Sequence, residues 1–261
     1  MLIILNLFLP LLILITILYF LSSFLNQLTA RYLSRSLYLF LMWPGVVAHE
    51  LSHFVGCLVT FTKVKRVSLF HPHSSGNKMV LGEVVHEYTK NPIKKVVISL
   101  APLFGVSLFI LVLIKLLLPG LYMNQLAGLN INISGSFGTQ FWNYFSQYFS
   151  YYRDLWQSLD FFSWQTYLFI YLSLSLGSHI APSKTDLKYT FEGLGVIVAA
   201  LLILLLAFRL LDIEYIWQVF NYLSYPIYQL NSLLGYGIVF TLLMLAVVLL
   251  VGGVRGLIHR L

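Results

Sequence analysis

Two histidines and a glutamate lie close together in an apolar stretch of the chain. His49, Glu50 and His53 belong to the sequence PGVVAHELSHFVGCLV, residues 44–59. If the stretch is helical, residues four apart share a face one turn apart, so both imidazoles can point at one metal ion. Zinc accepts imidazole nitrogen at about 2.0–2.1 Å, and a catalytic zinc keeps one position open for water. Glu50 would then serve as general base and afterwards as general acid, which is the division of labour that H-E-x-x-H indicates.

The composition places this motif in a membrane protein. Of the 261 residues, 59% are hydrophobic and 10% are charged, and the mean hydropathy is +0.85. Because a helix needs about 20 mostly apolar residues to cross about 30 Å of hydrocarbon, we expect an all-α polytopic membrane protein with about six transmembrane helices. Their expected spans are 2–25, 37–61, 95–118, 164–182, 194–211 and 235–254. The motif falls in the second. Without internal repeats or linkers, residues 1–261 are expected to form a single domain.

Ionisable side chains are costly in the middle of a membrane helix. An aspartate or a basic residue in the middle of a membrane helix costs about 2.5–3.5 kcal/mol, so three ionisable side chains in the second span favour a functional site. The alternative is that neighbouring helices satisfy them by hydrogen bonds alone. A single cysteine, Cys57, excludes a disulfide framework.

The net charge of +7 reports membrane topology. The basic residues form no continuous patch, so we expect a lipid bilayer as the environment and no nucleic acid partner. With six helices, three arginines fall on one side: Arg31, Arg35 and Arg153. The other side receives eleven basic residues: Lys63, Lys65, Arg66, Lys78, Lys90, Lys94, Lys95, Lys184, Lys188, Arg255 and Arg260. The positive-inside rule makes that side cytoplasmic. We therefore expect a multi-pass protein, of the cell membrane, with both termini in the cytoplasm.

Three segments between the expected helices have their own patterns. Residues 64–89 contain two partly alternating β-branched runs around Ser-Ser-Gly-Asn, which predicts a small membrane-associated β-hairpin directly after the second helix. Residues 119–163 are rich in aromatics and small polar residues, which predicts an amphipathic helix or folded loop at the outer interface. Residues 212–234 carry a further belt of tyrosines with a tryptophan, typical of the membrane interface.

A third protein ligand for a metal must come from outside the motif. Asp186 is the best placed, because Pro182 removes a backbone donor and interrupts the fourth helix, which allows the following chain to fold back. Asp186 could instead cap the next helix. Cys57 shares the face of the motif but lies a further turn along it, so it is expected to pack rather than bind metal. Four histidines remain open as ligands: His71, His73, His86 and His179.

The order of these segments resembles the site-2 protease family of intramembrane zinc metalloproteases. HELSH matches the family's first motif, a hairpin-like segment follows, VVISLAPLFG opens the third helix, and LSLGSHIAPSKTDL closes the fourth. The resemblance covers about residues 37–190. The chain lacks the family's glycine before Pro102, and Leu187 replaces the glycine that usually follows the family's aspartate. It is therefore similar to a divergent member without an evident PDZ or CBS module.

The resemblance implies a mechanism and a substrate class. Zn²⁺ would be held by His49, His53 and Asp186, Glu50 would be catalytic, and His179 or Ser178 would contact substrate. The substrate would be a membrane protein or membrane-associated peptide, cleaved within or beside a transmembrane segment. Since a helix protects its own amides, we expect an unwound substrate to pair as a strand with the hairpin. The alternatives are a catalytically inactive metal-binding membrane scaffold and an ion transporter. The sequence leaves the oligomeric state open.

Overall fold

The computed structural model describes residues 2–75, 78–119, 146, 150, 152–210 and 215–258. Its long helices are α1 (Leu2–Tyr32), α2 (Arg35–Val59), α3 (Pro92–Leu117), α4 (Trp164–His179), α5 (Lys184–Leu210) and α6 (Tyr215–Ile258). Four short strands lie between α2 and α3: β1 (Val64–Ser68), β2 (His73–Ser75), β3 (Lys78–Val80) and β4 (Glu83–His86). The protein is therefore mostly helical, with small antiparallel sheets after the second helix.

Three helical segments are long and apolar enough to cross a membrane, among the residues that the structure describes. They are Leu9–Thr29, Pro92–Leu117 and Gln229–Gly253, and each overlaps an expected span. The expected total of six spans is not confirmed. The second span is helical as α2, but His49, Glu50 and His53 lower its hydropathy. The fourth has only 16 residues, about 24 Å of helix, which is shorter than the hydrocarbon layer.

A proline interrupts the hydrogen bonding of α2, and side chains of α4 replace the missing contacts. Pro44 has no N–H, so the Phe40 carbonyl lacks its helical donor. The Tyr171 hydroxyl donates to that carbonyl at 2.7 Å. The next backbone N–H, of Gly45, donates to Ser175 Oγ at 2.8 Å. These two bonds connect α2 to α4 one turn before the H-E-x-x-H motif.

Small residues allow α2 to approach both of its main neighbours. A Cβ on Gly105 of α3 would lie 2.1 Å from Ser52 Oγ of α2. The backbone of α3 therefore packs directly against Ser52. A Cβ on Gly45 would lie 2.2 Å from the Ser175 carbonyl oxygen of α4. Close approach of this kind is how helices pack in membranes, where small residues let backbones meet. As a result, carbonyl groups of α3 and α4 lie within reach of side chains on α2.

The main apolar core lies on the other side of α4. Phe169 of α4 is fully buried and meets Phe240 of α6 edge to face, with ring centroids 5.9 Å apart. Leu18 of α1 and Val106 and Ile110 of α3 are also fully buried in this core. Packing of α1, α3 and α6 around α4 thus holds the end of α4 in place next to α2.

The predicted β-hairpin is confirmed as two antiparallel sheets of two strands each. β1 pairs with β4, where Arg66 lies opposite Val85, and β2 pairs with β3, where His73 lies opposite Val80. Gly76 and Asn77, at the expected turn, lie outside the described residues. Leu81 between β3 and β4 is buried in an apolar cluster with Met42 and other side chains of the helices. The hairpin is therefore anchored to the helices rather than lying free.

The two expected interfacial segments are only partly described. Of 119–163, residues 120–145, 147–149 and 151 lie outside the described part, whereas residues 152–157 are helical. Residues 211–214 also lie outside it, and residues from 215 onward belong to α6. Phe162, just before α4, and Trp164, its first residue, are exposed aromatic side chains.

Candidate metal centre

His49, His53 and Asp186 come together and could hold a metal ion. One ligand atom from each lies within 4.8 Å of the others. Asp186 Oδ2 is 3.7 Å from His49 Nε2, and Asp186 Oδ1 is 3.4 Å from His53 Nε2. Each of these side chains keeps only 12% of its surface exposed. The structure therefore places the motif histidines and the aspartate expected from the broken helix in one partly buried group.

Backbone carbonyls hold both imidazoles in the orientation that metal binding needs. His49 Nδ1 donates to the His179 carbonyl at 2.8 Å, and His53 Nδ1 donates to the Ile98 carbonyl at 2.9 Å. Because a carbonyl can only accept, the proton of each neutral ring sits on Nδ1 and the lone pair is on Nε2. Two lone pairs and a carboxylate then face one another. Such a set of acceptors is stabilised by a cation between them or by protonation of the rings.

Both accepting carbonyls are free because a helix is interrupted. Pro102 lies inside α3 and has no N–H, so the carbonyl of Ile98, four residues earlier, has no helical donor. His179 is the last residue of α4, shortly before Pro182. The N–H that would continue that helix, on Ser183, donates to Asp186 Oδ2 instead, at 2.8 Å. Each break thus supplies an acceptor that orients one imidazole.

Asp186 takes part in the cap of α5 and also faces the two histidines. The Ser183 N–H donates to its carboxylate, and the Asp186 N–H donates back to Ser183 Oγ at 3.2 Å. This reciprocal pair is a capping box at the start of α5, with Asp186 as the third residue of the helix. The same carboxylate faces both histidines. The cap therefore fixes the side chain that would act as the third ligand.

The types of donor in this group are ones that zinc accepts. Ligands bound at about 2.0–2.1 Å in a tetrahedron lie about 3.3 Å from one another. The 3.4 and 3.7 Å separations run to different oxygens of the carboxylate, and one ligand atom from each residue lies within 4.8 Å of the others, so the three side chains are close enough to share an ion. Two imidazoles and one carboxylate are also a ligand set found in catalytic zinc sites, where the fourth position stays open.

No family model, curated protein or solved structure matches this chain.

Glu50 lies under the hairpin. It follows His49 on α2 and is partly buried. A Cβ on Gly82, between β3 and β4, would lie 2.8 Å from Glu50 Cγ and 2.7 Å from the Leu69 carbonyl oxygen. Only a glycine lets the backbone pass so close to the glutamate. The hairpin thus covers the side chain that was expected to be the general base.

The other candidate ligands have different surroundings. His179 Nδ1 donates to the Ser175 carbonyl at 2.9 Å, and Ser178 Oγ donates to the same carbonyl at 2.8 Å. Their substrate role stays a prediction, since both bonds lie within α4. Cys57 is fully buried, as a packing residue would be. The three hairpin histidines, His71, His73 and His86, do not join the metal-ligating group found among the described residues.

Three positioning groups were missed in the sequence. The Ile98 carbonyl could have been found, because a proline always frees the carbonyl four residues before it. Ser183 could also have been found, because S-K-T-D has capping-box spacing. Gly82 gave no signal of its own, since its proximity to Glu50 arises from tertiary packing.

Proposed function

We propose that this chain is an intramembrane zinc metalloprotease that resembles the site-2 protease family. It hydrolyses a peptide bond in or next to a transmembrane segment of a membrane-protein substrate. One observation carries the proposal: the Nε2 atoms of His49 and His53 and the carboxylate of Asp186 converge, with both Nδ1 atoms engaged by carbonyls. Glu50, next in sequence to the first of these ligands, favours an enzyme over a site that merely binds metal.

Each residue has a defined role in this proposal. His49, His53 and Asp186 would hold the zinc. When bound, the zinc would polarise the scissile carbonyl and lower the pKa of a water molecule to near neutrality. Glu50 takes the proton from the attacking water and delivers it to the leaving amine. The hairpin above Glu50 restricts how a peptide can enter. In this proposal the hairpin end of the molecule lies on the cytoplasmic side of the cell membrane, as the distribution of basic residues predicts.

The depth of the centre suits a substrate that leaves the lipid. His53 lies six residues before the end of α2, about 9 Å along the helix axis, and Ile98 lies about as far inside α3. Water therefore has a short path to the centre from this end. In the described residues each sheet has two strands, so each strand keeps an edge to which an extended peptide could add. This arrangement supports strand addition as the mode of substrate binding.

Metal content tests the first half of the proposal. The purified protein should contain about one zinc per chain, and the His49→Ala/His53→Ala double variant should lose it. The matched control is His71→Ala/His73→Ala, which removes two imidazoles of the hairpin and should keep the zinc. Absence of zinc from the parent protein after zinc incubation would refute the metal centre and leave an ion transporter ahead.

Glu50→Gln tests the second half. This change retains the shape of the side chain but removes its basicity, so it should keep zinc and abolish cleavage of membrane substrates. Membrane peptides from cells making the active protein should be compared with those from cells making Glu50→Gln. Products that depend on the parent protein alone support the enzyme and name its substrates. Zinc binding with identical peptide patterns would indicate an inactive metal-binding scaffold.

A further inference from the structure

We propose that Pro102 is a positioning residue of the metal centre. It acts through the Ile98 carbonyl on the His53 imidazole. This inference rests on the proposed function, because it concerns a ligand of the proposed zinc site. The carrying observation is a hydrogen bond of 2.9 Å between His53 Nδ1 and the carbonyl four residues before the proline.

The chemistry of proline explains why this carbonyl is available. In an uninterrupted α3, the N–H of residue 102 would donate to the Ile98 carbonyl along the helix axis. Proline has no N–H, and its ring also pushes against that carbonyl, which turns away from the axis. Pro102 and Ile98 are both buried, so water does not replace the lost bond. His53 Nδ1 is the donor that satisfies the carbonyl.

Packing brings His53 to that acceptor. A Cβ on Gly56 would lie 2.9 Å from Ala101 Cβ and 3.3 Å from Ile98 Cα, so α2 and α3 touch directly beside the bond. With Nδ1 held in this way, the ring cannot turn about its bond to Cβ without losing the hydrogen bond. The Nε2 lone pair therefore stays directed at the Asp186 carboxylate. Partners of this kind typically change metal affinity by about 10–100-fold when lost.

The chain contains a matched case, in which a proline inside a helix frees a carbonyl that does not contact a proposed metal ligand. Pro44 frees the Phe40 carbonyl in α2, and the acceptor is satisfied by the Tyr171 hydroxyl. Both prolines interrupt a helix of the same bundle, and both leave a carbonyl served by a side chain. Only the carbonyl freed by Pro102 contacts a metal-ligating histidine. Substitution of Pro44 therefore controls for the general effect of repairing a helix.

The test compares Co²⁺ binding to purified Pro102→Ala and Pro44→Ala proteins. In Pro102→Ala the new N–H of residue 102 donates to the Ile98 carbonyl. It therefore competes with His53 Nδ1 for that acceptor. We expect the Co²⁺ dissociation constant of the Pro102→Ala protein to rise about 10–100-fold. Its visible absorption bands should also change, because they report the geometry of the ligands. Pro44→Ala should stay within about threefold of the parent, with unchanged bands. Pro102→Gly, which restores the N–H with less added bulk in the helix contact, should behave like Pro102→Ala.

The outcomes separate this inference from the proposed centre. If the parent protein binds no Co²⁺, the proposed centre fails. If the parent binds Co²⁺ and the Pro102 variants bind it equally with the same bands, the positioning role alone is overturned. Equal losses in the Pro102 and Pro44 variants also overturn it, because they indicate general helix repair. Nitrogen NMR of the parent provides a check that needs no variant: His53 should carry a hydrogen-bonded proton on Nδ1, and a proton on Nε2 would contradict the inference.

Discussion

Substituting Gly105 by alanine should loosen the metal centre from a distance. The new Cβ would lie 2.1 Å from Ser52 Oγ and 2.6 Å from Ser52 Cβ, both far inside van der Waals contact. Moving Ser52 Cβ out to an ordinary contact of about 3.4 Å requires about 0.8 Å of separation between α2 and α3. Ser52 Oγ cannot simply rotate without cost, because it donates to the Ala48 carbonyl at 2.6 Å.

The same separation acts on the orientation of His53. A comparable shift would lengthen the 2.9 Å bond between His53 Nδ1 and the Ile98 carbonyl to about 3.7 Å, beyond hydrogen-bonding range. We therefore expect Gly105→Ala to lower zinc affinity about 10-fold or more. Overpacking of this kind should also destabilise the fold by about 1–3 kcal/mol.

The assay is a double-mutant cycle with Ser52→Gly. This second change removes the Oγ and Cβ atoms and leaves Ser52 Cα, at 3.4 Å, as the nearest of the three close contacts. Thermal unfolding in detergent and zinc competition should be measured on the two single variants and the combined protein. The combined protein should recover most of both losses relative to Ser52→Gly alone. Undiminished zinc affinity in Gly105→Ala, with the protein folded, would refute the coupling between the helix contact and the histidine.

Three further predictions follow from single contacts. Asp186→Asn keeps an oxygen for the backbone donor but loses the charge, so the protein should fold while zinc affinity falls at least about 100-fold; retained affinity in titrations would exclude Asp186 as a ligand. Gly82→Ala should push the hairpin from Glu50 and slow substrate cleavage while zinc content stays at the parent level; unchanged cleavage rates would exclude the close cover. Tyr171→Phe should cost about 0.5–1.5 kcal/mol of stability by leaving the Phe40 carbonyl unpaired, without changing zinc affinity; an unchanged melting temperature would contradict the contact.

The sequence indicates which side chains come together better than it indicates what surrounds them. His49 and His53 could be paired because helix periodicity alone places them on one face. Asp186 could be proposed because a proline break returns the chain toward the motif. A helix cap was the alternative; in the structure Asp186 belongs to the capping box of Ser183, and its carboxylate has enough lone pairs to accept from Ser183 and to face the histidines.

The remaining features depend on tertiary packing. The proximity of Gly82 to Glu50 arises because Leu81 is buried among helical side chains, which no local pattern encodes. The total of six spans is not confirmed among the described residues, because an apolar segment such as α4 can be buried by neighbouring helices as well as by lipid. Phe169 in α4 is fully buried within the protein, so its hydrophobicity reports the helical core there.

The carbonyl that orients His49 belongs to a residue 130 positions later in the chain, and that fact bears on biogenesis. When α2 leaves the ribosome, α4 and the start of α5 have not been synthesised. The early chain therefore has two histidines with neither the distant carbonyl nor the carboxylate to arrange them. If the chain binds a metal as proposed, tight binding must then follow insertion and assembly of the later helices, and a chain truncated before α4 would lack it.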